Sequence, residues 1–240
     1  SMIINIFVEL TSIIPILINR LYTNGLFDIA LDSLTVPELT KPSINLIGNL
    51  PASSFLSFIQ SIIEKGLFEK LMQLIQVDEY TSDVFWLLSN YLEVAPQYVL
   101  PLIHSELVTL SVEIASQSSF HIKSEIAYFL SVLIRFMSGD DIVNFLVNEE
   151  IIELISEMLN SGVENLTIKC INGFQKLFDL AVQLNSKEFN CNILLQLFDS
   201  CDVVKQLDEI VQQIDKKNKT LISCASKLFY DIQSIIGDQQ

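Results

Sequence analysis

The 240-residue chain has little of what turns are made from, only 7 Gly and 6 Pro. So small a supply argues against a turn-rich all-β fold and against a disordered, low-complexity chain. General bases and metal ligands are scarce as well. The 2 histidines, His104 and His121, stand far in sequence from the 4 cysteines, Cys170, Cys191, Cys201 and Cys224, which contain no C-x-x-C pair. Nothing here has zinc-ligand spacing, and scattered cysteines fit a reducing intracellular compartment, most of them as small core residues. No G-x-x-x-x-G-K, G-x-S-x-G or H-E-x-x-H occurs. An enzyme would need such a nucleophile, metal or phosphate constellation, so no catalytic residue and no cofactor is assigned. Basic residues are also few, 14 Lys and Arg against 29 Asp and Glu, for a net charge of −15. A basic stripe for nucleic acid is therefore missing, and a basic protein segment becomes the natural electrostatic partner. The plainer alternative is that the acids keep an apolar chain soluble.

Apolar residues, by contrast, are abundant: they make up 50% of the chain, and Ile and Leu recur at the spacing of an amphipathic helix almost throughout. The most apolar stretch, residues 2–18, is interrupted by Asn5, Glu9 and Thr11. It lacks a basic leading region and a small-residue cleavage site, so it resembles neither a membrane span nor a signal peptide. Helices that touch neighbours on two sides need a wide apolar face, and that explains the composition. The leading Ser1-Met2 reads as a vector-derived junction, from which a longer natural chain is expected upstream.

The chain repeats itself. Short apolar openings, each followed by a helical run, place Leu26, Leu67, Leu107, Ile151 and Val203 in one series, with steps of 41, 40, 44 and 52. A second series, Asn49, Asn90, Val132 and Gln175, keeps steps of 41, 42 and 43. A period of roughly 40–47 residues suits armadillo or HEAT units as well as propeller blades. Residues 151–159 and 166–180 show helical spacing, and no series of short alternating strands is present, so the helical solenoid is preferred. Pro51, Pro96 and Gly139 fall where long helices should stop. The expected fold is all-α, an armadillo-repeat superhelical solenoid in a single domain. About five repeats, near 23–53, 64–96, 104–138, 148–183 and 200–237, follow a partial one near 1–22. The last step implies a polar loop over residues 185–192. The polar last unit, with Gln212, Gln213, Asp215, Lys216, Lys217 and Lys219, reads as a C-terminal cap, and the absence of an N-terminal one fits a truncated array.

The run Asp83-Val84-Phe85-Trp86-Leu87-Leu88-Ser89-Asn90 closely resembles the third helix of an importin-alpha armadillo repeat, in which a Trp and an Asn four residues apart project into a concave groove. In register with it, Ile44-Asn45-Leu46-Ile47-Gly48-Asn49 resembles a repeat that keeps Asn without Trp. Glu125-Ile126-Ala127-Tyr128-Phe129-Leu130-Ser131-Val132 resembles the following repeat, with Tyr128 for Trp and Val132 for Asn. The resemblance covers nearly the whole chain and corresponds to the C-terminal half of that family. It implies a nuclear-import adaptor in cytoplasm and nucleus that binds basic nuclear localisation signals at a minor-type groove site. The importin-beta-binding arm and the major-site repeats are outside this chain. The family's acidic C-terminal end also implies importin-beta-type carriers and nucleoporins as partners.

Asp83, Trp86 and Asn90 stand at relative positions 0, 3 and 7, one stripe of a helix. Asn90 could bond a peptide main chain, Trp86 could bear a Lys or Arg stem, and Asp83 could pair its charge, most strongly with Arg. Glu125 and Tyr128 repeat the acid and the aromatic, while Val132 breaks the amide rung. Asn49 keeps the amide, and Asn45 offers no aromatic face. The expected peptide site is thus Asn49, Asp83, Trp86, Asn90, Glu125 and Tyr128, with micromolar or weaker affinity and no metal. Trp86 could instead be a core residue, although an amide on its stripe would be costly to bury unpaired. Asn45 and Ser89 read as incidental surface, and Asp140, Asp141, Glu149 and Glu150 as solvated acids near helix starts. The rival functions are another armadillo or HEAT scaffold for a folded partner, such as a chaperone cofactor or cytoskeletal adaptor, and an importin-alpha relative that has lost cargo binding.

Overall fold

A computed structural model describes residues 2–184, 189–212 and 218–237, and every regular element among them is a helix. The helices gather into two compact units, Ser1–His104 and Ser105–Gln240. In the first, α1 (Met2–Ile13) precedes a three-helix repeat of α2 (Leu17–Thr23), α3 (Leu26–Ser33) and α4 (Pro37–Gly48). A second repeat follows as α5 (Leu56–Glu64), α6 (Leu67–Leu74) and α7 (Asp78–Val94), and α8 (Pro96–Val99) closes the unit. The third helices form a ladder, with α4 packed between α1 and α7.

The second unit begins with α9 (Ser105–Gln117) and α10 (Phe120–Phe136). Two triplets follow, α11 (Gly139–Phe145), α12 (Glu149–Glu157) and α13 (Glu164–Leu184), then α14 (Cys191–Ser200), α15 (Val203–Gln212) and α16 (Lys219–Gly237). Here α13 is the middle rung, packed on α10 and α16. Among the described residues no single helix is long and apolar enough to cross a membrane.

The opening series in the sequence marks the corner into each repeat's second helix. Gly25, Gly66 and Asp202 all take left-handed backbone there, with φ of 79°, 90° and 56°. Glycine reaches that region without a Cβ clash, and aspartate is among the few residues that tolerate it. The corresponding Glu106 and Glu150 lie inside α9 and α12 instead. The α12 start is set by Asn148, whose Oδ1 accepts from the Ile151 amide at 2.9 Å. A marker missed in the sequence has the same 41-residue step: Thr40 and Thr81 each turn a buried hydroxyl back to the corner carbonyls, of Leu34 and Val36 and of Ile75 and Val77 respectively, at 2.9–3.1 Å.

The long step before the last repeat comes in part from α13, which at 21 residues is the longest helix among the described residues. Residues 185–188 of the expected loop lie outside the described residues. Its later part is helical, because the Asn190 side chain accepts from the Asn192 and Ile193 amides and starts α14 at Cys191. Of the polar cap residues, Gln212 ends α15 and Lys219 begins α16, whereas Gln213, Asp215, Lys216 and Lys217 lie outside the described residues. Buried Leu221, Ala225, Leu228 and Ile232 fix one face of α16, a periodicity that positions it on α13 and α15.

Candidate functional site

Asp83, Trp86 and Asn90 share a face of α7, each half-buried, while Phe85, Leu87, Leu88 and Leu92 on the other faces are fully enclosed. The apolar spacing thus decides which side of α7 is left for polar work. Trp86 lies against Gly48 at the end of α4. A Cβ built on Gly48 would come within 2.1 Å of the indole Cζ3, so glycine is what lets the ring sit there. Among the described residues the indole N–H finds no hydrogen-bond partner, and Trp86 as a whole is only half-buried.

The asparagines were expected to bond a peptide main chain. In the structure they bond the protein's own. Asn90 Nδ2 donates to Gly48 O at 3.2 Å, and Asn49 Nδ2 donates to Val8 O at 3.1 Å and to Thr11 Oγ1 at 2.9 Å. Beside Asn90, the Tyr91 hydroxyl donates to Ile47 O at 3.2 Å. The last carbonyls of a helix have no partner within it, and α7 supplies two of them for α4. Tyr91 is fully buried, and burial pushes its phenol above the ordinary range. Asn90 retains its Oδ1 and one amide hydrogen, whereas Asn49 retains only its Oδ1.

Asp83 is 15% exposed, with its Oδ2 buried, and Lys41 Nζ of α4 stands 3.2 Å from that oxygen without an aligned hydrogen bond. A lysine absent from the sequence-based site therefore meets the carboxylate. Lys41 precedes Asp83 by one repeat length, which is the signal that could have found it.

In the second unit, Glu125 and Tyr128 stand half-buried on α10, and Val132 is 0% exposed. The amide rung is lost here because the position itself belongs to the core. Lys169 of α13 places its Nζ 5.5 Å from the Tyr128 ring centroid, so this aromatic already faces a cation. Ser131 approaches Gly173 closely: a Cβ on that glycine would meet Ser131 Cα at 3.4 Å. Cys170 lies in the same seam, with the Ser131 hydroxyl 3.6 Å from its sulfur, and burial pushes its thiol up to about 12. Ser89, expected at the surface, is buried, and its hydroxyl bonds Phe85 O at 2.8 Å. A serine can enter a core in this way because the preceding turn of its own helix accepts the proton. Asn45 is half-buried.

The second unit also carries an acidic groove of about 390 Å³ between α9 and α12. Its floor is Val112, Ala115 and Leu154, and Glu113, Glu150, Glu153 and Glu157 rim it; Lys123 pairs with Glu157 at 3.2 Å. Among the described residues no three His, Cys, Asp or Glu side chains come together to hold a metal ion.

No protein-family model matches the sequence, and no curated protein matches it. Solved structures do match the fold. An engineered protein aligns with a TM-score of 0.69 at 15% identity, over 96% of this chain and 89% of its own. A designed armadillo repeat protein in complex with peptide (KR)4 gives 0.66 at 14% identity, over 88% and 85%. Computationally designed armadillo repeat proteins for modular peptide recognition give 0.67 at 14% identity, over 89% and 85%. At such identities the likeness establishes the architecture: the chain is an all-α armadillo-repeat solenoid.

Proposed function

We propose that the chain is a non-catalytic adaptor that holds an extended basic segment of a partner protein on its third-helix face, as a minor-type site for nuclear localisation signals. The observation that carries this reading is the α7 stripe, where a half-open indole stands between a carboxylate and an amide with spare donor and acceptor. The net charge of −15 favours the same ligand. A designed protein of this fold is solved with the basic peptide (KR)4, which makes that peptide a suitable probe. Cargo adaptors of this kind work between cytoplasm and nucleus with importin-beta-type carriers and nucleoporins, and those partners belong to the same proposal. Because both asparagines already bond neighbouring helices, Asn90 is the stronger clamp and Asn49 contributes an acceptor alone.

The test is a fluorescence-anisotropy titration of labelled (KR)4 against the wild-type chain and Trp86→Ala/Asn90→Ala. It is run at about 50 and 150 mM salt, because screening separates contact from general attraction. Saturable binding that the double substitution removes supports the stripe, and equal binding to both proteins refutes it. The α9–α12 groove favours a second reading, a scaffold for a folded basic partner. That reading requires Glu150→Lys/Glu153→Lys to abolish capture of the partner while Trp86→Ala leaves it intact.

A further inference from the structure

Asp83 is the acid that stands one turn from Trp86 on α7, and its carboxylate is not empty. Lys41 Nζ lies 3.2 Å from the buried Oδ2, yet the Lys41 side chain is 54% exposed against 15% for Asp83. The lysine therefore reaches in from solvent over a carboxylate that is otherwise enclosed, and it can swing out without exposing core. Resting on the basic-segment reading, we infer that Lys41 is a built-in competitor for the ligand cation. It holds the position that cation would take at Asp83, so every basic ligand must displace it, and only one that binds the carboxylate better than an ammonium does, an arginine, gains there.

The selection follows from the geometry of exchange. A ligand ammonium that displaces Lys41 replaces one point-like cation by another and gains little. A guanidinium presents a planar fork that engages both carboxylate oxygens, a contact the Lys41 ammonium does not make. The same planar group can also lie along the open part of the Trp86 ring, one turn away on α7. An arginine thus recovers what displacement costs, and a lysine does not. The partner chemistry this predicts is an arginine-bearing basic segment, with lysine tolerated elsewhere along it.

The experiment uses octaarginine and octalysine as probes, titrated against the full chain with Trp86, the single tryptophan, as fluorescence reporter. Three proteins are compared: wild type, Lys41→Gln, and Lys227→Gln, which removes one exposed charge from α16 in the other unit. Wild type should bind octaarginine roughly tenfold more tightly than octalysine, in line with a bidentate contact against a single one. Lys41→Gln should tighten both peptides by about three- to fivefold, the range of an exposed ion pair, because the displacement cost is common to them, and the ratio should hold. Lys227→Gln frees no carboxylate on the stripe and should tighten both peptides by much less. If Lys41→Gln matches Lys227→Gln, or if wild type shows no arginine preference, the assignment of Lys41 is overturned while peptide binding at the stripe stands. If neither peptide alters Trp86 emission, and a fourth protein, Trp86→Ala, read by the anisotropy of labelled peptides, binds both as wild type does, the stripe reading fails and the Lys41 inference falls with it.

Discussion

In the first unit, α7 sits on α4 through an indole against a glycine and an amide on a carbonyl. In the second, α10 meets α13 through Ser131 against Gly173, with Val132 buried where the amide would stand. Both seams pack third helices of successive repeats, but only the first spends polar and aromatic groups on the contact and leaves part of each exposed. Trp86 and Asn90 are therefore as much a register device for α4 and α7 as a surface for a ligand. The second seam shows that the ladder stands without such a device, which frees the α7 residues for binding.

The two glycines give the sharpest way to break this comparison. Gly48→Ala drives a methyl into the Trp86 ring at 2.1 Å, and the indole has Asp83 and Asn90 on either side along its helix. The expected loss is about 3 kcal/mol, the upper end of ordinary overpacking, read as a lower urea midpoint. Combining it with Trp86→Ala should recover most of the loss, since the clash is with that ring. Gly173→Ala meets Ser131 at ordinary contact distance, and alanine is favoured over glycine inside a helix by about 1 kcal/mol. It should stay within about 1 kcal/mol of wild type. Equal losses at both glycines would mean that the seams are built alike.

Exchanging the rung residues comes next in size. Val132→Asn puts an amide where the side chain is wholly enclosed, with a cost of about 2 kcal/mol for unpaired polar burial. Asn90→Ala gives up one hydrogen bond and leaves Gly48 O short of a partner, so about 1 kcal/mol is expected. Equilibrium unfolding of the two variants ranks them, and the reverse order would show that α10 has room for the amide rung after all.

These same positions show what could be read from the sequence and what could not. The period was legible because Leu26, Leu67 and Ile151 mark helix openings, and the stripe was legible because positions 83, 86 and 90 must share a face of any helix. That Val132 breaks the rung was readable from its side chain. The direction of the amides was not, since their acceptors, Gly48 O and Val8 O, are backbone carbonyls about one repeat away. Every residue has a carbonyl, so no sequence letter announces one. Lys41 and Lys169 were missed for a related reason: a lysine's long stem lets it reach an acid or a ring on the next helix from an unremarkable surface position. Gly48 was noticed inside Ile-Gly-Asn, but its purpose needs the Trp86 ring in place.

Each unit also buries one weak acid in its seam, Tyr91 in the first and Cys170 in the second, and both are held protonated by burial. Each folded-state value lies above the ordinary one, so the neutral form's contribution is complete at neutral pH. It declines once pH passes the unfolded value, because only the unfolded chain then releases the proton. The thiol ordinarily titrates at 9.0 and the phenol at 10.0, so the second unit is affected first. At pH 10 the thiol alone should cost about 1 kcal/mol of stability. Urea midpoints from pH 8 to 10 should fall in the wild type and fall less in Cys170→Ala. Parallel declines would remove Cys170 as the cause.

The smallest effect separates the two lysines that face the stripes. Lys169 over Tyr128 is a cation against a ring, worth about 0.5–1 kcal/mol at a partly exposed site, and Lys41 at Asp83 is an ion pair of similar size. They differ in their response to salt. A pair of full charges weakens as ionic strength rises, whereas close contact with a ring's quadrupole is screened less. The stability lost in Lys41→Gln should therefore shrink between about 0.05 and 0.5 M salt, and the part of the Lys169→Gln loss that survives at the higher salt measures the ring contact. If the Lys169→Gln loss vanished at high salt as the Lys41→Gln loss does, the ring contact would add nothing to the second stripe, and the two stripes would share one electrostatic design.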